Sequence, residues 1–312
     1  MKRLLLILAI LLLAGNSVFL RSSEKCRLRK TAFPAAQAVP PSAASAVIPS
    51  VATAVIPSVA SLVISSESSE SRNLERIDAV LERYLEGIER ASLGEKMGEC
   101  DFLIGACADS LMRQHVGIRL YDHYVTSALM GDEAVAIYLY DNWFAPRRIA
   151  FESEIDLLNA GIFADFNRHS LIGMEAPAVT LQDRAGEPVA LPVKGEYSVV
   201  YFYDTECSRC RLESALLRML LSSGQFPLTF CAVYTGDNRE AWERYAEESL
   251  AIDSAAVEVR HLWDPSLDSD FQRLYGVLQT PRLFLLAPDG RILGRQLNAE
   301  ALLDLLKIYY GK

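Results

Sequence analysis

The stretch YFYDTECSRCRLE, residues 201–213, sets Cys207 and Cys210 three apart directly after an apolar run that reads as a buried strand. Two thiols at that spacing can do three kinds of chemistry. They can supply half of a zinc site, clip one helical turn, or cycle between dithiol and disulfide. The chain holds six cysteines, at 26, 100, 107, 207, 210 and 231, too sparse for a disulfide framework. A structural zinc takes four ligands, yet there is one Cys-x-x-Cys pair, and His115, His123, His169 and His261 are scattered without ligand spacing. A clip within one turn constrains little chain, since the benefit of closure grows with loop length. The balance favours a redox couple, with the clip as its main rival.

A redox couple needs a strand-to-helix junction, and the pattern supplies one. A helix from about Ser208 to Ser222 puts Cys207 at its N-terminus, where unpaired N–H groups and the helix dipole stabilise a thiolate. Cys210 lies one turn on, placed to resolve a mixed disulfide formed at Cys207. Arg209 and Arg211 add positive charge, and the Ser208-Arg209 dipeptide between the cysteines tunes the couple. About seventy residues later, VLQTPRLFLL places Pro281 at the head of an apolar strand. The plain reading of Pro281 is a loop proline at a first strand position, where proline is tolerated. The functional reading is a cis Thr280–Pro281 peptide facing Cys207, whose backbone pairs with an extended substrate segment.

The elements around these residues alternate. The segment at 176–193 alternates apolar and polar about a Gly-containing turn, as a hairpin does. YSVVYFY, PLTFCAVYT and VEVRHLW read as strands. Helices lie between them, ahead of a strand pair joined by Pro288-Asp289-Gly290 and a closing helix, AEALLDLLKIYY. That order predicts an α/β fold with a mixed sheet covered by helices on both faces. Ahead of it, residues 73–168 carry helical periodicity, for example Leu74, Ile77, Val80, Leu81, Tyr84, Leu85 and Ile88. DSLMRQHVGIRLYDHYVTSAL, DEAVAIYLYDNWF and FESEIDLLNAGIFADFNRHSL continue it as a small all-helical domain.

Residues 171–312 resemble the TlpA/ResA branch of the thioredoxin-fold thiol–disulfide oxidoreductases. IGMEAPAVTLQDRAGEPVAL is similar to that branch's N-terminal hairpin. VVYFYDTECSRCRLE is similar to its strand, redox pair and helix start, and YGVLQTPRLFLLAPDGRIL to its cis-proline segment and final hairpin. The resemblance implies a thioredoxin-like fold, with Cys207 as attacking thiol and Cys210 as resolving thiol. It implies that Glu213, three residues past Cys210, lies near the thiols and takes a proton from Cys210 or tunes it. It assigns Thr280 and Pro281 to substrate binding. It calls for no cofactor and no metal, and for protein disulfides as substrates with a membrane electron donor. Residues 73–168 resemble a helical module of unknown function found ahead of such domains. The sequence departs from the family in several places. Glu206 stands where tryptophan often precedes the first cysteine, and it opposes thiolate formation. Tyr201 stands where thioredoxin buries an aspartate, and Ala215 replaces a helix proline.

The ends and the charge bound the setting. Lys2 and Arg3, the apolar run Leu4–Leu13 and the small residues Ala14, Gly15 and Ser17 follow the order of a secretory signal peptide. Residues 1–20 read as that peptide or as an uncleaved membrane anchor. Residues 21–72, rich in Ala, Ser, Pro and Val and with an eight-residue repeat at Ala46 and Ala54, read as a tether. A net charge of −9 argues against nucleic acid as a partner. Cys231, Cys100 and Cys107 read as core residues, the last two about 10 Å apart if helical and so beyond disulfide reach. The expectation is an exported oxidoreductase of the periplasm or cell envelope, working as a reductant. The alternative is an envelope binding or stress-response module with a non-catalytic thioredoxin-like domain.

Overall fold

The computed structural model describes the backbone of residues 59–312 and the side chains from residue 73. The leader or anchor read at 1–20, Cys26 and most of the tether fall outside the described residues. The first described helix, α1, runs Val59–Gly87, so about four of its turns lie in the stretch read as tether. The reason is local: past Pro57 no proline or glycine interrupts backbone hydrogen bonding until Gly87.

Four further helices precede the sheet: α2 Leu93–Gly105, α3 Ser110–Val125, α4 Glu133–Leu139 and α5 Glu154–Asn167. The run read as one helix at DEAVAIYLYDNWF is split. After α4 comes a π turn, Tyr140–Phe144, closed by Ala145 N–H on the Tyr140 carbonyl at 2.8 Å, just ahead of Pro146. Ser153 caps α5, its hydroxyl accepting the Asp156 N–H.

The sheet follows. Its strands are β1 Val179–Gln182, β2 Pro188–Leu191, β3 Ser198–Tyr203, β4 Leu228–Tyr234, β5 Val257–Trp263, β6 Arg282–Leu286 and β7 Ile292–Gly294. The helices among them are α6 Ser208–Ser222, α7 Arg239–Glu248, the short α8 Phe271–Leu274 and α9 Ala299–Tyr310. The order is β2-β1-β5-β4-β3-β6-β7. β3, β4 and β5 are parallel, and β6 is antiparallel to both β3 and β7. All residues of β3 and β4 are buried, which is why they read as unbroken apolar runs; β1, covered on one face, alternates. Gly290 holds the β6–β7 turn at φ 88, a backbone region that only glycine enters without strain.

Two cores flank the sheet. Tyr201, Tyr203, Leu217, Phe230, Trp242, Tyr245 and Leu302 pack one face under α6, α7 and α9. Phe202, Val233, Leu262, Phe271, Tyr275 and Phe284 pack the other with α8. This is a thioredoxin-like fold preceded by helices. The compact units divide elsewhere than composition does. Ser92–Asp101 and Gln114–Lys312 form one unit, and the chain up to Ala91 with Phe102–Arg113 forms another. Most of α3, with α4 and α5, thus belongs with the sheet. A buried polar contact helps to hold them there: Arg295 donates to Glu133 at 3.0 Å and to Asn167 Oδ1 at 2.7 Å.

Candidate active site

β3 ends at Tyr203 and delivers a short turn. The Asp204 carboxylate accepts the Glu206 N–H at 2.8 Å, and the next residue, Cys207, leaves the strand direction as the N-cap of α6. Its backbone is extended (φ −74, ψ 115), and its sulfur accepts the Cys210 N–H at 3.1 Å. A side-chain acceptor at this position satisfies one of the orphan donors of the first turn. Here the acceptor is a sulfur, Cys207 Sγ.

Cys207 and Cys210 are joined as a disulfide with Cα atoms 5.2 Å apart. Their exposures differ. Cys207 is partly exposed and Cys210 is fully buried. An incoming sulfur therefore meets Cys207 first, and Cys210 can act only from within. The other described cysteines form a contrast. Burial pushes the thiols of Cys100 and Cys231 up to about 12 and that of Cys107 to about 11, so they stay protonated and unreactive at neutral pH. All three are free and buried, as the apolar runs around them suggest.

The antiparallel pairing of β6 with β3, with Arg282 opposite Phe202, brings the loop ahead of β6 to the end of β3 where the cysteines lie. The Thr280–Pro281 peptide is cis. The Thr280 carbonyl stands 3.6 Å from the Cys207 sulfur, so the two segments separated by seventy-three residues meet at one point. Ser208, Arg209 and Glu206 are exposed beside them, where they can influence charge without packing against the sulfur. Leu212 and Leu278, 65% and 50% exposed, add apolar surface on α6 and on the loop ahead of Thr280.

Glu213 is half-buried on α6, and its hydrogen bond is made to a second helix. Its carboxylate accepts the N–H of Ala299, the first residue of α9. Burial raises its pKa above the usual carboxylate range and the Ala299 N–H partly offsets this. The carboxylate thus sits at the N-terminus of a second helix, a favourable place for its negative charge.

Beneath Cys210 lies a network that motif spacing does not show. Tyr201 donates to the Cys210 carbonyl at 3.0 Å, and its oxygen is 3.1 Å from Ser214 Oγ. Tyr245 donates to the same Ser214 oxygen at 2.9 Å. Because the Tyr201 proton is committed to Cys210, Ser214 must donate to Tyr201. The chain of donors then runs Tyr245, Ser214, Tyr201, Cys210 carbonyl, with no ionised group in it. The one hint in the sequence was Tyr201 itself; Tyr245 is thirty-one residues from Ser214.

Comparison with known proteins fits this geometry. Residues 172–294 match the AhpC/TSA family model. No curated protein gives a significant match. A thioredoxin-like protein from Bacteroides caccae superimposes with a TM-score of 0.60 at 16% identity, over 75% of this chain and 84% of that one. That likeness is one of fold, and its extent takes in helices ahead of the sheet. The thioredoxin domain of a thiol–disulfide oxidoreductase from Bacteroides vulgatus is 26% identical over 44% of this chain and 96% of its own, with a TM-score of 0.38. A thiol:disulfide interchange protein from a Bacteroides species is 25% identical over 46% and 93%, with a TM-score of 0.40.

Proposed function

We propose that the AhpC/TSA-family, thioredoxin-like domain of this chain is a thiol–disulfide oxidoreductase that reduces protein disulfides in the cell envelope. One observation carries the reading: a partly exposed Cys207 sulfur, 3.1 Å from the Cys210 N–H and 3.6 Å from the Thr280 carbonyl, backed by a buried Cys210.

The reaction follows from that asymmetry. In the dithiol form, the α6 N-terminus and the Cys210 N–H stabilise Cys207 as thiolate. This thiolate attacks one sulfur of a substrate cystine. The substrate S–S bond breaks, its second sulfur leaves as thiolate and takes a proton from solvent, and a mixed disulfide forms on Cys207. Cys210 then loses its proton and attacks the Cys207 sulfur. The mixed disulfide breaks, the substrate's other thiol is released, and the Cys207–Cys210 disulfide remains. Two electrons have passed to the substrate. A dithiol donor, which we place in the membrane, returns the couple to its reduced form by the same exchange in reverse. Thr280 and Pro281 bind the substrate backbone alongside the sulfur. Glu213 takes up or tunes the Cys210 proton, and Ser208, Arg209 and Glu206 set the potential. The basic–apolar–small order of residues 1–20 supports export.

The test is alkylation mass spectrometry across a dithiothreitol redox series, run beside insulin reduction. A couple at 207 and 210 that titrates, with Cys207 alkylated first, and loss of insulin reduction in Cys207→Ser are expected. A pair that never titrates, or a wild-type protein that reduces nothing, sinks the reading. A low reduction potential for the pair marks a reductant and a high one an oxidant.

A further inference from the structure

Three chain segments meet at one end of the sheet's strands. β6 runs antiparallel to β3 and to β7, so the C-terminus of β3, the N-terminus of β6 and the C-terminus of β7 lie together. The first carries Cys207, the second Pro281, and the third the loop Arg295–Asn298. Two hydrogen bonds fix that loop against the redox elements. Leu297 N–H donates to the Leu283 carbonyl, two residues past Pro281. Ala299 N–H donates to Glu213, one turn past Cys210. From strand rise and strand spacing, Leu297 is about 8 Å from Pro281.

Beside this loop is a cavity of about 380 Å³, lined by Gln296, Leu297, Asn298 and Ala301 on one side and by Ser127–Met130 on the other. The far wall comes from the turn ahead of α4. That turn is held rigid: Asp132 pairs with buried Lys96 at 2.5 Å and accepts the Ser127 hydroxyl at 2.7 Å. The Glu133–Arg295 ion pair, 3.0 Å and buried, ties the turn to the loop across the cavity. Gln296 takes a left-handed backbone (φ 54), a conformation uncommon outside glycine. Leu129 and Met130 are 40% and 44% exposed at the rim.

We infer that this cavity is a substrate subsite in which the turn Ser127–Met130 and the loop Gln296–Asn298 grip the polypeptide flanking the substrate cysteine. The inference rests on the oxidoreductase reading above. A chain held covalently at Cys207 and running past Pro281 meets Leu297 next, so the subsite continues the redox site. The lining fits an extended peptide without net charge. The amide of Gln296 and the amide NH2 of Asn298 suit its backbone, and Leu129, Met130 and Leu297 suit an apolar side chain. The charged pair on the wall is already neutralised within itself. The helices ahead of the sheet thereby select substrates, a role for a module that the motifs left without one.

The test compares insulin with the small disulfide 5,5′-dithiobis(2-nitrobenzoate) in the full chain. In the Leu129→Glu/Met130→Glu variant, the ratio of kcat/KM for insulin to that for the small disulfide falls about tenfold. Independently, benzoylphenylalanine at position 130 in a Cys210→Ser background cross-links to insulin trapped on Cys207. A ratio unchanged in the variant, or trapped insulin that never cross-links, overturns the subsite. So does a wild type that reduces the small disulfide and shows no preference for insulin; in all three cases the oxidoreductase reading stands. A wild type that reacts with neither disulfide overturns both.

Discussion

Tyr201 donates its phenolic proton to the backbone carbonyl of Cys210 at 3.0 Å, from a fully buried ring on β3, an interior strand. The position matters because thioredoxin-type sites place a buried acid there. Here Cys210, the resolving cysteine of the proposed reaction, rests instead on a neutral donor chain from Tyr245 through Ser214 to Tyr201. Burial raises the pKa of both tyrosines, so neither serves as a base near neutral pH. Tyr201→Phe removes the link that joins strand to helix. The Ser214 hydroxyl then turns to its own helix carbonyl, so the expected loss is about 1 kcal/mol, read as a lower urea midpoint with an unchanged slope. Loss of three or more times that amount would mean the network carries the packing of α6 as well.

Glu213 gives a pH signature of defined sign. Burial raises its folded pKa above the ordinary carboxylate value, so the folded chain holds that proton at pH values where the unfolded chain has lost it. Its contribution to stability therefore declines as pH rises from the ordinary carboxylate pKa through the raised folded value. Glu213→Gln removes this decline while its amide oxygen still accepts the Ala299 N–H. Thermal melts from pH 4 to 8 should show a flatter profile for the variant, with equal or higher stability at pH 7. A profile parallel to wild type would place Glu213 in solvent. If the carboxylate also relays the Cys210 proton, the resolving step slows in the same variant.

What could be read from the sequence was local. The continuous apolar β3, the Cys-x-x-Cys at its end, the hairpin turn at Gly290 and Pro281 ahead of β6 each declare themselves within a dozen residues. The features that stayed hidden are long-range. Arg295 and Glu133 are 162 residues apart, and Glu213 and Ala299 are 86 apart. A glutamate on a helix has no local mark showing that its carboxylate will cap a second helix. Nor does an arginine after an edge strand show that it will be buried. The start of α1 at Val59 was missed for a different reason: the Ser- and Ala-rich composition of a tether masked a stretch without helix breakers.

The Arg295–Glu133 pair should be costly to break. Arg295 is 1% exposed and Glu133 12%, and the arginine also satisfies Asn167. Arg295→Met leaves the mostly buried Glu133 carboxylate without its cation, with only the Gly131 N–H still donating to it, and leaves the Asn167 amide oxygen without the arginine, an expected loss of about 3 kcal/mol. Adding Glu133→Gln to that variant removes the stranded charge, so the double variant should recover a large part of the loss. A double-mutant cycle read by urea denaturation checks this. Additive losses would show that the two side chains act independently and that the tie between the α4 turn and the β7–α9 loop is made elsewhere.

His261 on β5 should make the fold acid-sensitive well above the carboxylate range. Burial first, and the nearby Arg184 second, lower its pKa from 6.5 to about 4, and its Nδ1 is buried without a hydrogen-bond partner. The unfolded chain binds the proton near pH 6.5, whereas the folded chain resists it until about pH 4. Stability from this group is therefore complete above about pH 6.5 and falls steadily as pH drops toward 4. His261→Phe keeps a flat ring in the strand and cannot take the proton. Its urea midpoint should change less than that of wild type between pH 7 and 5, and the two curves should converge or cross as the pH falls. Parallel curves would mean that the imidazole protonates freely in the folded chain.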